Sequence, residues 1–283
     1  MEKACAALMG KHAPASGRMH VVGAGRTDAG VHATGMVAHV DLPGEVLSPS
    51  LVNDNATMER ALRAHVRKAI GRRDEDMLSV LAIKPMSKRW HARFSSTGKT
   101  YTYSVVDDAA GGVAALSVED MAMTPFVWRL PTNSPRRPLD VPAMTAAAAA
   151  MEGTHDFGAF RASSCSSTRV VRTMDAVRVD ASQSAGGART VVRITCASRA
   201  FMHHQVRNMV GALVDVGLGK LTVGDVQALL LPPADPAQPH RSRTELESKT
   251  APARGLVLTD VFYANHPKLP FTTSTAYDAD YGP

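Results

Sequence analysis

The chain has 283 residues, 45% of them hydrophobic and 20% charged, with a formal net charge of +6. Those figures fit a soluble globular protein of one large or two ordinary domains with ample core. They exclude a helical membrane span, since no apolar run approaches the roughly 18 residues that one requires. Cys5, Cys165 and Cys196 are odd in number and widely spaced, a pattern of neither a disulfide framework nor a zinc set. Met1 to Gly17 lacks the long apolar segment of a secretory signal, so a reducing compartment, cytoplasmic or organellar, is the expectation.

In chain order, Met1 to Met9 reads as the end of a short helix with Ala4, Ala7 and Leu8 on its apolar side. The apolar run Met19 to Val22 leads into Gly23-Ala24-Gly25-Arg26-Thr27-Asp28-Ala29-Gly30-Val31-His32-Ala33, and a second run, Met36 to Leu42, alternates apolar and polar residues. That pattern is strand, tight loop, strand. Gly23, Gly25 and Gly30 allow positive φ or a close approach of backbone, and Arg26 and Asp28, two apart on such a loop, can both point into one cleft. A dinucleotide fingerprint fails here: the third glycine would fall at Asp28, and no helix follows. A hairpin turn with a turn-forming Asp stays open.

Met58, Leu62, Val66 and Ile70 recur every four residues and predict a helix that Gly71 closes. Met77 to Ile83 reads as a strand, and so does Thr100 to Val105, where Tyr101, Tyr103 and Val105 alternate with polar residues. Asp107 to Pro138, rich in Gly, Ala and Pro and carrying Arg129, Arg136 and Arg137, reads as a crossover loop. Asp140 is placed to cap a helix running to Met151, with Pro142 in its first turn.

Strands are predicted over Arg172 to Val179 and Arg189 to Cys196, around a polar turn from Ser182 to Gly187. Met202, Val206, Met209, Val210, Leu213 and Val216 make one apolar helical face. His203 and His204 sit at its start; neighbours on a helix diverge by about a quarter turn, so they are not expected to share an ion. Thr222 to Leu231 reads as a short helix, Pro232 to Ser248 as a Pro-rich charged loop, and the last residues as a loose tail. Between Arg161 and Arg207 stand eight arginines, no lysine and only two acids, Asp175 and Asp180, so this segment carries the whole of the net +6. Such a stripe is the electrostatic footprint of a polyanion, or else a solvated strand face.

Five stretches carry a family resemblance. Gly25-Arg26-Thr27-Asp28-Ala29-Gly30-Val31-His32-Ala33 resembles the signature loop of the tRNA pseudouridine synthase A family. Ala92-Arg93-Phe94-Ser95 followed by Lys99-Thr100-Tyr101-Thr102-Tyr103 resembles its second motif, Gly153 to Arg161 its third, Val206-Arg207-Asn208-Met209-Val210-Gly211 its fourth, and Ala251 to Leu258 its closing one. Together they cover Met19 to Tyr263. Family members usually carry an earlier strand with an aromatic-Asp-Gly-Thr stretch, and this sequence begins after that point, so a missing first strand is expected.

The resemblance implies an α+β fold of two similar subdomains, with mixed, mostly antiparallel sheets, packed helices and an active-site cleft between them. The corresponding division is 1–107, a crossover at 108–138, 139–265, and a tail at 266–283. It implies a tRNA pseudouridine synthase acting on the anticodon stem-loop as a homodimer, an isomerase needing no cofactor and no metal. By the same resemblance Asp28 is the catalytic carboxylate, Arg207 its ion-pair partner, and Tyr101 the ring that stacks on the target base. Arg26 and Arg161 contact RNA, and Leu256 packs at the base pocket. Two rivals remain: a non-catalytic tRNA-binding or chaperone-like module on the same scaffold, and a metal-dependent nuclease built from His32, His155, Asp156 and His203. Added chelator separates the nuclease from the synthase.

Overall fold

The computed structural model describes residues 1–42, 54–71, 77–109, 118–130, 137–184, 189–233 and 238–264. Its chain forms two compact units, the first from Met1–Arg26 with Val37–Ser95 and the second from Thr27–Met36 with Ser96–Pro283. This division departs from the one read in the sequence, because strand 96–107 is hydrogen-bonded on both edges to strands from later in the chain. Among the described residues no helix is long and apolar enough to cross a membrane.

In the first unit, α1 (Glu2–Met9) packs with α2 (Asn55–Ile70), and β1 (Val21–Gly23) pairs antiparallel with β3 (Ala38–Val40). The core gathers Ala4, Cys5 and Met9 of α1 with Met19, Leu62 and Val66. The spacing of Leu62 and Val66 puts them on one side of α2, as the four-residue recurrence predicts. Asp54 caps the helix by accepting from the Thr57 amide at 3.1 Å, and Gly71, with φ 87°, ends it. The predicted strand over Met77 to Ile83 does not form. Side chains of α2 take its backbone instead: Arg63 donates to the carbonyls of Val80 and Leu81 at 2.6 and 2.7 Å, and the Ile83 amide donates to Glu59 at 2.9 Å.

The second unit is built on a six-stranded sheet in the order β2 (His32–Ala33), β10 (Leu256–Tyr263), β4 (Ser96–Asp107), β9 (Thr190–Ser198), β8 (Ala176–Gln183), with β5 (Trp128–Arg129) also on β4. Among the described residues only the β2–β10 and β4–β5 pairs of this sheet are parallel. The predicted period-two alternation holds along β4, where Tyr101, Tyr103 and Val105 are buried. Tyr101 stands opposite Leu258 and Cys196, and Tyr103 opposite Leu256 and Ile194, so one face of the sheet is apolar across three strands. On the helical side, α4 (Val141–Met151) packs against β8, α5 (Gln205–Gly217) and α6 (Val223–Leu230). Asp140 caps α4 by accepting from the Ala143 amide, as predicted.

Two further expectations need correction. The stretch 108–138 is not all loop: α3 (Val118–Met123) and β5 lie in it, and β5 is held by buried Val127 and Leu130, whose amide donates to Val106. Arg136 lies outside the described residues. The single strand read over 172–179 breaks at Asp175 into β7 (Val171–Met174), paired with β6 (Gly153–Asp156), and β8, paired with β9. The Asp175 amide donates to Ala197 at the break. Part of the 182–187 turn, residues 234–237 of the charged loop and the tail beyond 264 lie outside the described residues.

Candidate active site

The glycine loop is shaped by one glycine more than the others. The Val31 amide donates to the Asp28 carbonyl at 3.0 Å with Gly30 at φ 80°, which is a type II turn with glycine at its third position. Gly23 and Gly25 do not take positive φ. After the turn, β2 pairs with β10 (His32 opposite Val257, Ala33 opposite Leu258), and the amides of Thr34 and Gly35 both donate to the Leu258 carbonyl. Gly35 is a close approach the sequence reading missed: a Cβ there would stand 1.9 Å from the Thr259 carbonyl oxygen. The turn and this clamp onto β10 fix where the Asp28 side chain begins.

Asp28 and Arg207, 179 positions apart, meet here. Arg207 Nη1 donates to Asp28 Oδ2 at 2.7 Å, and its Nε donates to the Ala251 carbonyl at 2.8 Å, so the planar fork is held by two acceptors. The Ala251 amide returns a bond to the Arg207 carbonyl. Behind it, buried Asn208 donates to Phe160 and accepts from Thr250, which ties α5 to the 249–251 stretch. Asp28 keeps 25% of its side chain accessible and Arg207 14%, so the carboxylate is partly desolvated yet open to a ligand.

Both histidines also face Asp28. His203 Nε2 lies 3.4 Å from Oδ1 and His204 Nε2 3.1 Å from Oδ2. The expectation that helical geometry would splay them apart fails because neither is inside the helix. His204 is the residue before α5, at φ 61°, and this left-handed step swings the two rings to a centroid distance of 4.0 Å. A lone non-glycine residue at positive φ is a sign of a constrained site, but no sequence pattern announces it. Burial holds the His204 imidazole below the ordinary histidine range, with Arg207 and His203 acting the same way and Asp28 opposing.

Tyr101 presents its ring edge-on to Phe201, with centroids 5.2 Å apart, and is 9% exposed. Burial, and then the charge of Asp28, push its phenol up to about 12, so the hydroxyl is protonated at neutral pH. Leu256 is buried on the neighbouring strand, opposite Tyr103. Arg26 is exposed, at the end of the first unit's opening segment. Arg161 follows a short 3-10 turn and donates to the Ser167 carbonyl at 2.7 Å.

The arginine segment is not one continuous stripe. Arg189 is 5% exposed and pairs with Asp108 at 2.8 Å, and Arg207 turns to Asp28. Arg178 and Arg193 lie on exposed positions of β8 and β9, Arg193 opposite Asp180. The nuclease set does not assemble: His155 bonds to the Glu152 carbonyl, His32 to the Pro125 carbonyl, and Asp156, fully buried, to His240 and the Gly158 amide. Among the described residues the grouping of His, Cys, Asp or Glu with ligand spacing is Asp28, His203 and His204.

The chain resembles known proteins over most of its length. A family model described as tRNA pseudouridine synthase matches residues 147–264. The chain is 37% identical over 241 residues to tRNA pseudouridine synthase A of Paramagnetospirillum magneticum, covering 85% of this chain and 78% of that one. With the protein of the same name from Maricaulis maris it shares 39% over 243 residues, 86% of this chain and 81% of the relative. With that of Acidiphilium cryptum it shares 37% over 268 residues, 94% and 87%. At this identity and coverage, and with an α+β fold of mixed, mostly antiparallel sheets and packed helices, the chain belongs to the tRNA pseudouridine synthase A family.

Proposed function

We propose that this protein is an isomerase converting uridine to pseudouridine in the anticodon stem-loop of tRNA, with Asp28 as the reacting carboxylate. The observation that carries the reading is the Asp28–Arg207 pair at 2.7 Å, a partly desolvated, ion-paired carboxylate on a rigid turn. In the reaction the N1–C1′ bond of the nucleoside breaks, the uracil turns, and a C5–C1′ bond forms. C5 loses its hydrogen to solvent and N1 gains one. Atoms and electrons balance within the substrate, so neither cofactor nor energy source enters.

Asp28 serves as nucleophile or charge stabiliser at the sugar while the glycosidic bond opens, and Arg207, bonded to Oδ2 at 2.7 Å, keeps it aimed. Tyr101 stacks under the uracil, and Leu256 supports the pocket beside it. The uridine must leave its stack before these groups reach it, and a loop or stem end lowers that cost. Arg161 contacts the RNA, and Arg26 either holds the nucleotide's phosphate or props the vacated position. A homodimer holding one tRNA across both subunits belongs to the same reading, and light scattering with and without tRNA checks it.

Tritium at C5 of uridine reports the reaction directly. Wild-type protein releases it from labelled tRNA transcripts, and Asp28→Asn binds the same tRNA and releases none. Turnover near wild type in Asp28→Asn contradicts the assignment. Tight tRNA binding with no release by the wild type supports a binding module instead.

A further inference from the structure

We propose that Asp28, His203 and His204 form an inhibitory binding site for a divalent transition-metal cation of the zinc–cobalt class. The inhibitory half rests on the reading of Asp28 as the reacting carboxylate; the binding half stands on geometry alone. One donor atom from each of the three residues lies within 4.8 Å of the others. His203 Nε2 is 3.4 Å from Asp28 Oδ1 and His204 Nε2 3.1 Å from Oδ2. A tetrahedral ion with bonds of 2.0–2.1 Å to nitrogen and oxygen sets its ligand atoms about 3.3 Å apart, so the present spacings are close to those a bound ion demands.

The supports for the two rings are also those of a ligand pair. His203 Nδ1 faces Ser164 Oγ at 3.4 Å, leaving Nε2 toward Asp28, and its carbonyl accepts from the Ala162 amide at 2.8 Å. An outer partner on the far ring nitrogen is the usual way a ligating imidazole is oriented. The left-handed backbone of His204 brings the second ring alongside the first. Two imidazoles and one carboxylate select zinc, cobalt, nickel or copper over magnesium or calcium. Side-chain exposures of 43% for His203 and 28% for His204 leave a way in and a fourth position for water.

Arg207, 2.7 Å from Asp28 Oδ2, opposes a second cation and makes the site weak and reversible. The ion occupies the carboxylate that the reaction needs, so metal and uridine exclude each other.

The test titrates the whole protein with Co2+, whose visible absorption reports its ligands. A saturable band at one ion per chain is expected, displaced by Zn2+ and weakened at least about tenfold in both His203→Gln and His204→Asn. Asn tolerates the left-handed backbone, and thermal melts identify any variant that fails to fold; the other then decides. In parallel, Zn2+ lowers tritium release by the wild type and chelator restores it. A missing band, or one that both substitutions leave intact, overturns the site. Zinc binding with undiminished tritium release overturns the inhibition. A metal-free protein that binds Co2+ as described but releases no tritium refutes the proposed activity while supporting the site.

Discussion

At the level of single residues, burial shifts the titration of two groups around Asp28, the Tyr101 phenol and the His204 imidazole. Tyr101 is buried and its phenol is pushed up to about 12, so its contribution to the site is a neutral aromatic face. Base–aromatic stacking is worth about 1–3 kcal/mol. Tyr101→Ala should therefore lower kcat/KM by roughly tenfold to a hundredfold, while Tyr101→Phe, which keeps the face, should stay within a few-fold of wild type. A large loss in Tyr101→Phe would assign the hydroxyl a chemical part.

His204 gives a pH dependence of known sign. Its pKa is lowered in the folded state by burial first, with Asp28, Arg207 and His203 as the charged or titratable groups facing it. The folded protein then binds fewer protons than the unfolded chain around the ordinary imidazole value of about 6.5. This contribution makes stability rise with pH through that range and fall as pH drops below it. Melting temperature against pH should show a shallower slope in His204→Asn. Asp28 and Arg207 were legible in the sequence because consecutive motif residues carry them. The approach of the histidines was not, since one left-handed residue decides it and helical periodicity argues the other way.

Among the elements, α2, α4 and β4 run where periodicity and caps put them, while α5 begins at Gln205 and leaves Met202 of the predicted face and both histidines before it. The stretch 77–83 shows what periodicity leaves out. Its apolar residues suit a strand, but its backbone partners are Arg63 and Glu59 side chains, which no strand pattern encodes. Glu59→Leu removes the acceptor of the Ile83 amide. Hydrogen exchange at Ile83 should then quicken by about tenfold or more, given the worth of a hydrogen bond to a charged group. Unchanged exchange there would show that the segment is held by its apolar contacts alone.

A second element-level prediction concerns the seat of Arg207. Gly211, one turn along α5, lies against the 249–251 stretch that supplies the Ala251 carbonyl, and a Cβ there would stand 2.1 Å from the Lys249 carbonyl oxygen. Gly211→Ala should cost about 1–3 kcal/mol from overpacking. Activity should fall further than stability does, as the shift reaches the acceptor that aims the guanidinium. Differential scanning calorimetry beside tritium release checks both. The motif Val-Arg-Asn-x-Val-Gly thus holds its positioning parts together: Arg207 to Asp28, Asn208 to Phe160 and Thr250, and Gly211 to Lys249.

For the molecule as a whole, sequence order and spatial grouping diverge. The chain leaves the first unit at Arg26, places Asp28, β2 and Gly35 in the second, and returns at Val37. Asp28 is joined there by Arg207 and Tyr101, with Leu256 in the same sheet, from three distant stretches. Single-sequence periodicity cannot pair strands so far apart, which is why the cut after residue 107 missed the bonds that β4 makes with β9 and β10. The arginine excess was visible as composition, but its division into inward pairs and exposed strand positions depends on register. In the proposed reaction the whole assembly serves one carboxylate, Asp28, acting on one uridine. The most direct measurement incubates purified protein with unmodified tRNA transcripts in excess chelator and maps pseudouridine by carbodiimide-dependent primer stops. A stop in the anticodon arm, present with wild type and lost in Asp28→Asn, is the predicted result. A stop that persists in Asp28→Asn, or tRNA that is bound yet shows no stop on any transcript, would contradict it.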